Sequence, residues 1–250
     1  MQITTDAMVI RERNIDDSDR LLTLLTRDRG VITAYARGAR RMKSTLAPAT
    51  GLLCYSRMVL FKHRERYSVD KADINAVFFG IRQDIEKLAL ASYMAQLCAE
   101  LIPEGEQDED YLRLMLNSLH LLEKDKRSAD FIKPLFELRL LSMAGYMPNL
   151  VSCRGCACYE ADPMYFLPQS GQLTCGGCMT PQDTGALPLS PGVLTAMRYI
   201  IYSDFQRLFN FALPPEGLKV LSKTCQTYLL TQLDRGFTSL DFLESVRSSS

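Results

Sequence analysis

Short runs with alternating apolar and polar residues fill the first 80 positions of the chain, and a longer period takes over after them. Ala7-Met8-Val9-Ile10-Arg11-Glu12-Arg13 is the first run, and 19–26 and 31–37 follow on either side of a turn at Arg27-Asp28-Arg29-Gly30. Segments 53–62 and 67–74 supply two more. β-Branched and aromatic residues occur in them at strand frequency, so five short strands are predicted.

From residue 81 the apolar positions recur at helical spacing. Segment 82–102 is apolar nearly all round, through Ile85, Leu88, Leu90, Met94, Leu97 and Leu101, as a helix buried in a bundle would be. Pro103-Glu104-Gly105-Glu106 breaks it. Leu112, Met115, Leu116, Leu119 and Leu122 mark an amphipathic helix, and Phe131, Leu135, Leu138 and Leu141 a third, stopping near Gly145-Tyr146-Met147-Pro148. Ser190-Pro191 opens a later helix as N-cap and N1, with Leu194, Met197, Tyr199 and Ile201 along it. Leu218, Leu221, Cys225, Tyr228 and Leu229 mark the last helix, and Ser248-Ser249-Ser250 is expected to fray.

Between these helices stand two knuckles, Cys153-Arg154-Gly155-Cys156 and Cys175-Gly176-Gly177-Cys178, separated by an eighteen-residue spacer. Such spacing suits a tetrahedral zinc site, each tight turn pointing two thiolates at one ion. The spacer reads as a hairpin: Met164-Tyr165-Phe166-Leu167, a turn at Pro168-Gln169-Ser170-Gly171, then Gln172-Leu173-Thr174. Cys158 lies two residues past Cys156, but the symmetric set Cys153, Cys156, Cys175 and Cys178 is the expected one. Four thiolates close the coordination shell, which favours a structural zinc over a catalytic one. The spacer holds no Lys or Arg, so a nucleic-acid-touching ribbon is the weaker reading.

The architecture expected is α+β. An OB-fold β-barrel domain over 1–80 precedes an α-helical domain over 81–250, with a four-cysteine zinc ribbon inserted at 151–182.

The chain of 250 residues is 47% hydrophobic and 23% charged, the balance of an ordinary globular protein. No apolar run approaches the ~20 residues of a membrane span, and the first residues lack the pattern of a signal peptide. Eight cysteines in such a chain point to metal binding and buried thiols, and to a cytoplasmic protein. Cys54, Cys98 and Cys225 fall among apolar neighbours and are expected in the core.

Net charge is zero, but residues 1–80 hold 14 Lys+Arg against 9 Asp+Glu, and the remainder 15 against 20. A basic first third suggests a polyanionic partner. Its densest stretch, Arg37-Gly38-Ala39-Arg40-Arg41-Met42-Lys43-Ser44, sets Arg37, Arg40, Arg41 and Lys43 on a glycine-containing connection able to follow a phosphate backbone. Arg11, Arg13, Arg57, Lys62, Arg64 and Arg66 stand on neighbouring strands and turns, and Tyr35, Tyr55 and Tyr67 are candidates to stack on bases. No phosphate-cradling loop, zinc-protease helix or nucleophile elbow is present. His63 sits among cations, and His120 is expected to pack on its helix. Two rivals remain: a nucleic-acid-modifying enzyme whose ribbon guides substrate, and a protein-interaction scaffold without DNA activity of its own.

Three stretches carry a resemblance to a known family. Asp19-Arg20-Leu21-Leu22-Thr23-Leu24-Leu25-Thr26 with Arg29-Gly30-Val31-Ile32, the basic stretch 37–44, and Tyr165-Phe166 to Gly171 between the knuckles resemble the bacterial RecO recombination-mediator family, over nearly the whole chain. Met42 stands where that family commonly has Pro, and Gln172 replaces the second residue of a usual Gly-Gly. The resemblance implies binding of single- and double-stranded DNA, annealing of complementary strands, and help in loading a recombinase onto DNA coated with single-strand-binding protein. It implies RecR and the acidic C-terminal tail of single-strand-binding protein as partners, and a place at the nucleoid; the missing catalytic motifs are what speak against an enzyme. The DNA contacts expected are Arg37, Arg40, Arg41 and Lys43, joined by Arg11, Lys62, Arg64 and Arg66.

Overall fold

The computed structural model describes residues 1–248; Ser249 and Ser250, where the end was expected to fray, lie outside the described residues, and Ser248 closes the last helix. Five strands appear where alternation predicts them: β1 (Gln2–Asn14), β2 (Arg20–Thr26), β3 (Val31–Ala36), β4 (Cys54–His63) and β5 (Arg66–Val77). They form a closed barrel in the order β1-β2-β3-β5-β4. This is the five-stranded barrel of the OB type. Alternate residues such as Ile3, Val9, Leu24, Ile32, Met58 and Leu60 point inward and make its core.

β1 begins five residues earlier than its apolar run, because Ile3 and Thr5 are buried even though polar residues flank them. A bulge between Val9 and Arg11 lets this one strand pair with β4 through its first half and with β2 through its second. The barrel is closed by a short parallel pairing of β3 with β5, Ala34 opposite Tyr67 and Tyr35 opposite Ser68.

The helices are α1 (Phe79–Arg82), α2 (Ile85–Leu101), α3 (Asp110–Glu123), α4 (Ala129–Met143), α5 (Pro191–Tyr202), α6 (Pro215–Leu233) and α7 (Thr238–Ser248). Asp84 caps α2, its side chain accepting the amides of Glu86 and Lys87 at 2.9 and 3.0 Å. The all-round apolar character of α2 has its reason: α1, α3, α7 and the barrel strands β1 and β2 all pack on it. The helix α7, which the sequence pattern does not announce, is short and buries Leu240 and Leu243.

The chain divides into two compact units, one of Met1–Arg127 with α7, the other of Ser128–Phe237. The change of period at residue 80 therefore marks a change of secondary structure inside the first unit. Helix α2 shares its buried face with β1 and β2, which keeps α1–α3 with the barrel.

In the second unit, α4 packs on α6 and α5, and a four-stranded sheet is added: β6 (Asn149–Cys153), β7 (Met164–Leu167), β8 (Gln172–Cys175) and β9 (Leu187–Leu189), ordered β6-β8-β7-β9. Lys133 and Glu137, one turn apart on α4, form an ion pair at 2.8 Å that is almost wholly buried, and Lys133 also reaches Gln226 of α6 at 2.8 Å. Cys54, Cys98 and Cys225 are buried as expected. His120, by contrast, is exposed, at the last turn of α3.

Within the first unit the β2–β3 turn docks on the segment after α2. Gly30 bridges to Glu104, and the Gly105 amide donates to the Arg29 carbonyl at 3.0 Å. Gly30 holds φ +61, and a Cβ there would lie 2.0 Å from the Pro103 carbonyl oxygen. Gly30→Ala is accordingly expected to destabilise the fold by roughly 2–4 kcal/mol, read as a lower urea midpoint.

Candidate nucleic-acid interface and metal centre

Strand register places the candidate residues. Arg13 of β1 stands opposite Leu21, Leu21 opposite Tyr35 of β3, and Tyr35 opposite Ser68 of β5. Side chains paired in this way share one face of the sheet. None of these four is buried, so the face is the outer one. A neighbouring row runs from Arg11 through Thr23 to Thr33. Three strand spacings separate β1 from β5, about 14 Å of surface.

At the β5 edge of this face a groove of about 300 Å³ is lined by Tyr35, Arg37, His63, Arg66, Tyr67 and Ser68. Arg64, at the tip of the β4–β5 hairpin with φ +53, is exposed. Arg11, Arg37, Arg41, Lys43, Arg64 and Arg66 are all exposed and form no ion pair among the described residues. Lys62 differs. It is half-buried, 5.0 Å above the Tyr67 ring and 4.0 Å from Glu65, and its hydrogen bond with Tyr67 raises its pKa.

Arg40 is exposed but already engaged, its guanidinium donating to the Asp16 carbonyl. Arg57 stands opposite Asp6 and lines a cavity with Asp6, Arg27 and Asp28, apart from the groove that Arg37 and Arg66 line. Of the three tyrosines, Tyr67 is 4% exposed and belongs to the core, and Tyr55 lines a cavity with Leu112 and Leu116 of α3. Tyr35 alone of the three combines partial exposure with the basic groove. Arg13 gains importance that its sequence position did not signal; only the strand register aligns it with Tyr35.

The knuckles are assembled by the second unit's sheet. The spacer forms the expected hairpin, β7 paired with β8 around Gly171 at φ +64, and β6 runs parallel to β8 so that Cys153 and Cys175 end neighbouring strands. Ala157 takes φ +58 and its amide donates to the Cys153 carbonyl at 2.9 Å, which turns Cys156 back toward Cys153. The four Sγ atoms of Cys153, Cys156, Cys175 and Cys178 lie within 4.8 Å of one another.

Cys156 and Cys175 are 3.7 Å apart, against the ~3.8 Å edge that metal–sulfur bonds of about 2.3 Å give a tetrahedron. Burial works against a charged Cys153, but the amides of Cys156, Cys175 and Gly155 outweigh it and bring that thiol down to about 5. Its Sγ accepts the Gly155 and Cys175 amides at 3.4 and 3.3 Å. The hydrogen bond to Cys156 pushes Cys158 up to about 12, and Cys158 stays outside the four-thiol set. All four donors are sulfur, and together they can hold a metal ion.

Two family models match nearly all of this framework, the N-terminal model of Recombination protein O over residues 1–78 and the C-terminal model over 82–241. The chain belongs to the RecO family. A DNA repair protein RecO of Acetivibrio thermocellus is 38% identical over 244 residues, 98% of this chain and 97% of the relative. Those of Symbiobacterium thermophilum and Desulforudis audaxviator are 35% and 32% identical, covering 98% and 100% of this chain and 97% and 99% of the relatives. The two RecO models meet at the end of β5, where the barrel gives way to helices, so the barrel face and the cysteine cluster fall in different RecO segments.

The RecO ribbon is fastened to its helices by a buried cation. Arg198 of α5, 9% exposed, donates to the carbonyls of Leu150, Val151 and Tyr159 at 2.7, 3.1 and 2.8 Å, and its guanidinium lies 3.8 Å from the Tyr159 ring centre. Phe166 of β7 meets Tyr228 of α6 edge-on at 5.2 Å. Arg198→Leu strands three carbonyls and is expected to cost on the order of 3 kcal/mol, measured by chemical denaturation.

Proposed function

We propose that this RecO-family chain binds single- and double-stranded DNA, anneals complementary strands, and assists loading of a recombinase onto DNA coated with single-strand-binding protein. The observation that carries the reading is the outer barrel face. It combines a partly exposed Tyr35 with cations that have no carboxylate partner among the described residues, Arg37 and Arg66 in the groove and Arg11, Arg41, Lys43 and Arg64 around it. Lys62 contributes from its place over Tyr67.

Annealing asks for no catalytic residue. A cationic surface screens the repulsion between two phosphate backbones, stacking on an aromatic side chain holds bases open, and base pairing supplies the driving force. The RecR protein and the acidic C-terminal tail of single-strand-binding protein are the protein partners of this reading. No described helix is long and apolar enough to cross a membrane, which is compatible with work at the nucleoid.

The cysteine cluster is read as a structural zinc site held by Cys153, Cys156, Cys175 and Cys178. Zinc would supply a cross-link between the ends of β6 and β8 and the two knuckle turns, in a segment whose own core is small. The closed all-sulfur set offers water no position, which favours the structural role.

Two measurements check these readings. Annealing of complementary oligonucleotides, each coated with single-strand-binding protein, is expected to accelerate with the wild-type chain and not with Arg37→Glu/Arg41→Glu. For that variant the logarithmic salt slope of single-strand binding should fall by ~0.7 per lost phosphate contact, and an unchanged slope would remove the surface from consideration. Elemental analysis is expected to find about one zinc per chain, lost in Cys175→Ser together with thermal stability. A metal-free yet equally stable Cys175→Ser protein would refute the structural role.

A further inference from the structure

Beside the proposed DNA surface, two loops of opposite charge are bound together. One, residues 15–19, joins β1 to β2 and carries Asp16, Asp17 and Asp19; the other, residues 37–44, leaves β3. Asp16 Oδ1 accepts the amides of Ser18 and Asp19, each at 2.7 Å, and so fixes the first loop as a compact turn. These amides, with a smaller contribution from Arg40, hold the Asp16 carboxyl below the usual carboxylate range.

The acidic loop then grips the basic one at three points. Asp19 Oδ1 accepts the Gly38 amide at 2.7 Å, the Ser18 carbonyl accepts the Arg40 amide at 2.9 Å, and the Asp16 carbonyl accepts the Arg40 guanidinium. Gly38 holds φ +65, the left-handed conformation that lets the chain turn at this point.

Arg37, Arg41 and Lys43 lie on the same loop, are exposed, and make no ion pair among the described residues. A phosphate approaching Arg40 would also approach three aspartates, whose charge repels it. We infer that Arg40 is a positioning residue: it latches the basic loop onto the 15–19 loop, and leaves Arg37, Arg41 and Lys43 to meet the phosphates of a single DNA strand. Asp19 is its counterpart on the other side of the latch. The inference rests on the DNA-binding reading above and revises the part Arg40 plays in it.

A contact residue and a positioning residue differ in how salt acts on their loss. Removing a phosphate contact lowers the salt slope, whereas loosening a loop weakens binding with the number of released counterions unchanged. The test uses the full chain, a fluorescent single-stranded oligonucleotide titrated across a range of salt, and NMR-detected amide exchange of Gly38 and Arg40 without DNA.

Arg40→Ala is expected to weaken binding several-fold at every salt concentration with an unchanged slope, and to speed exchange of the Gly38 amide. Asp19→Ala should do the same, and Asp19→Asn, which keeps an acceptor oxygen, should restore both. Arg41→Ala should lower the slope by ~0.7 and leave Gly38 exchange as it was. A slope reduced in Arg40→Ala as in Arg41→Ala, with exchange unaltered, would make Arg40 an ordinary contact and overturn the inference. So would an Arg40→Ala chain with neither affinity nor exchange altered. If Arg37→Ala and Arg41→Ala both bind DNA as the wild type does, the DNA reading fails instead, and exchange alone still decides whether the latch exists.

Discussion

Closure of the barrel depends on two parallel residue pairs, Ala34 with Tyr67 and Tyr35 with Ser68. A parallel pair is the weaker kind of ladder, and this one is the shortest in the barrel, yet without it β3 and β5 would each present an open edge. The same pairing sets Arg37 beside Arg66 and His63, since Arg37 follows β3 and the other two flank the hairpin into β5. Bulges in β1 and β5 give the sheet the bend that brings these edges together. The basic groove is thus a product of closure, and residues distant in sequence share it only because the barrel is complete.

The second unit solves a different problem, attaching a small sheet with little core of its own to a helical layer. Arg198 answers the main-chain carbonyls of β6 and the following turn, and Tyr228 packs on Phe166 while its hydroxyl donates to the Tyr146 carbonyl at 3.0 Å. The buried Lys133–Glu137 pair, with Gln226, fixes how α4 meets α6. Directional contacts of this kind specify one packing arrangement where apolar contacts alone would accept several.

Much of this was legible because it is local. The Met164–Leu167 strand, the turn closed by Gly171 and the Cys-x-x-Cys spacing are each decided within a few residues, and the structure reproduces them nearly to the position. The five barrel strands were legible for the same reason, through alternation. Helix α7 was not, since its two buried leucines acquire meaning only against α2, some 140 positions away. Nor could sequence separate Arg40 from Arg41, adjacent residues of the same type. The loop across from them makes the difference, and it comes from before β2. Arg13 was named among the cations but left out of the expected contacts on similar grounds: two strand registers connect it to Tyr35. The Lys133–Glu137 pair broke the rule that charged residues face water, because its two members neutralise one another inside the core.

The return of α7 to the first unit also orders events during synthesis. The second unit is one continuous stretch, 128–237, and its contacts can form as soon as that stretch has left the ribosome. The first unit is begun by the earliest residues and finished by 238–248, so α2 keeps an apolar flank uncovered while all of the second unit is being made. A nascent chain therefore carries an uncovered apolar strip on α2, beside a barrel already closed, while residues 128–237 are being added, a state that invites wrong contacts. Helix α7, added only after the whole of the second unit, ends that exposure.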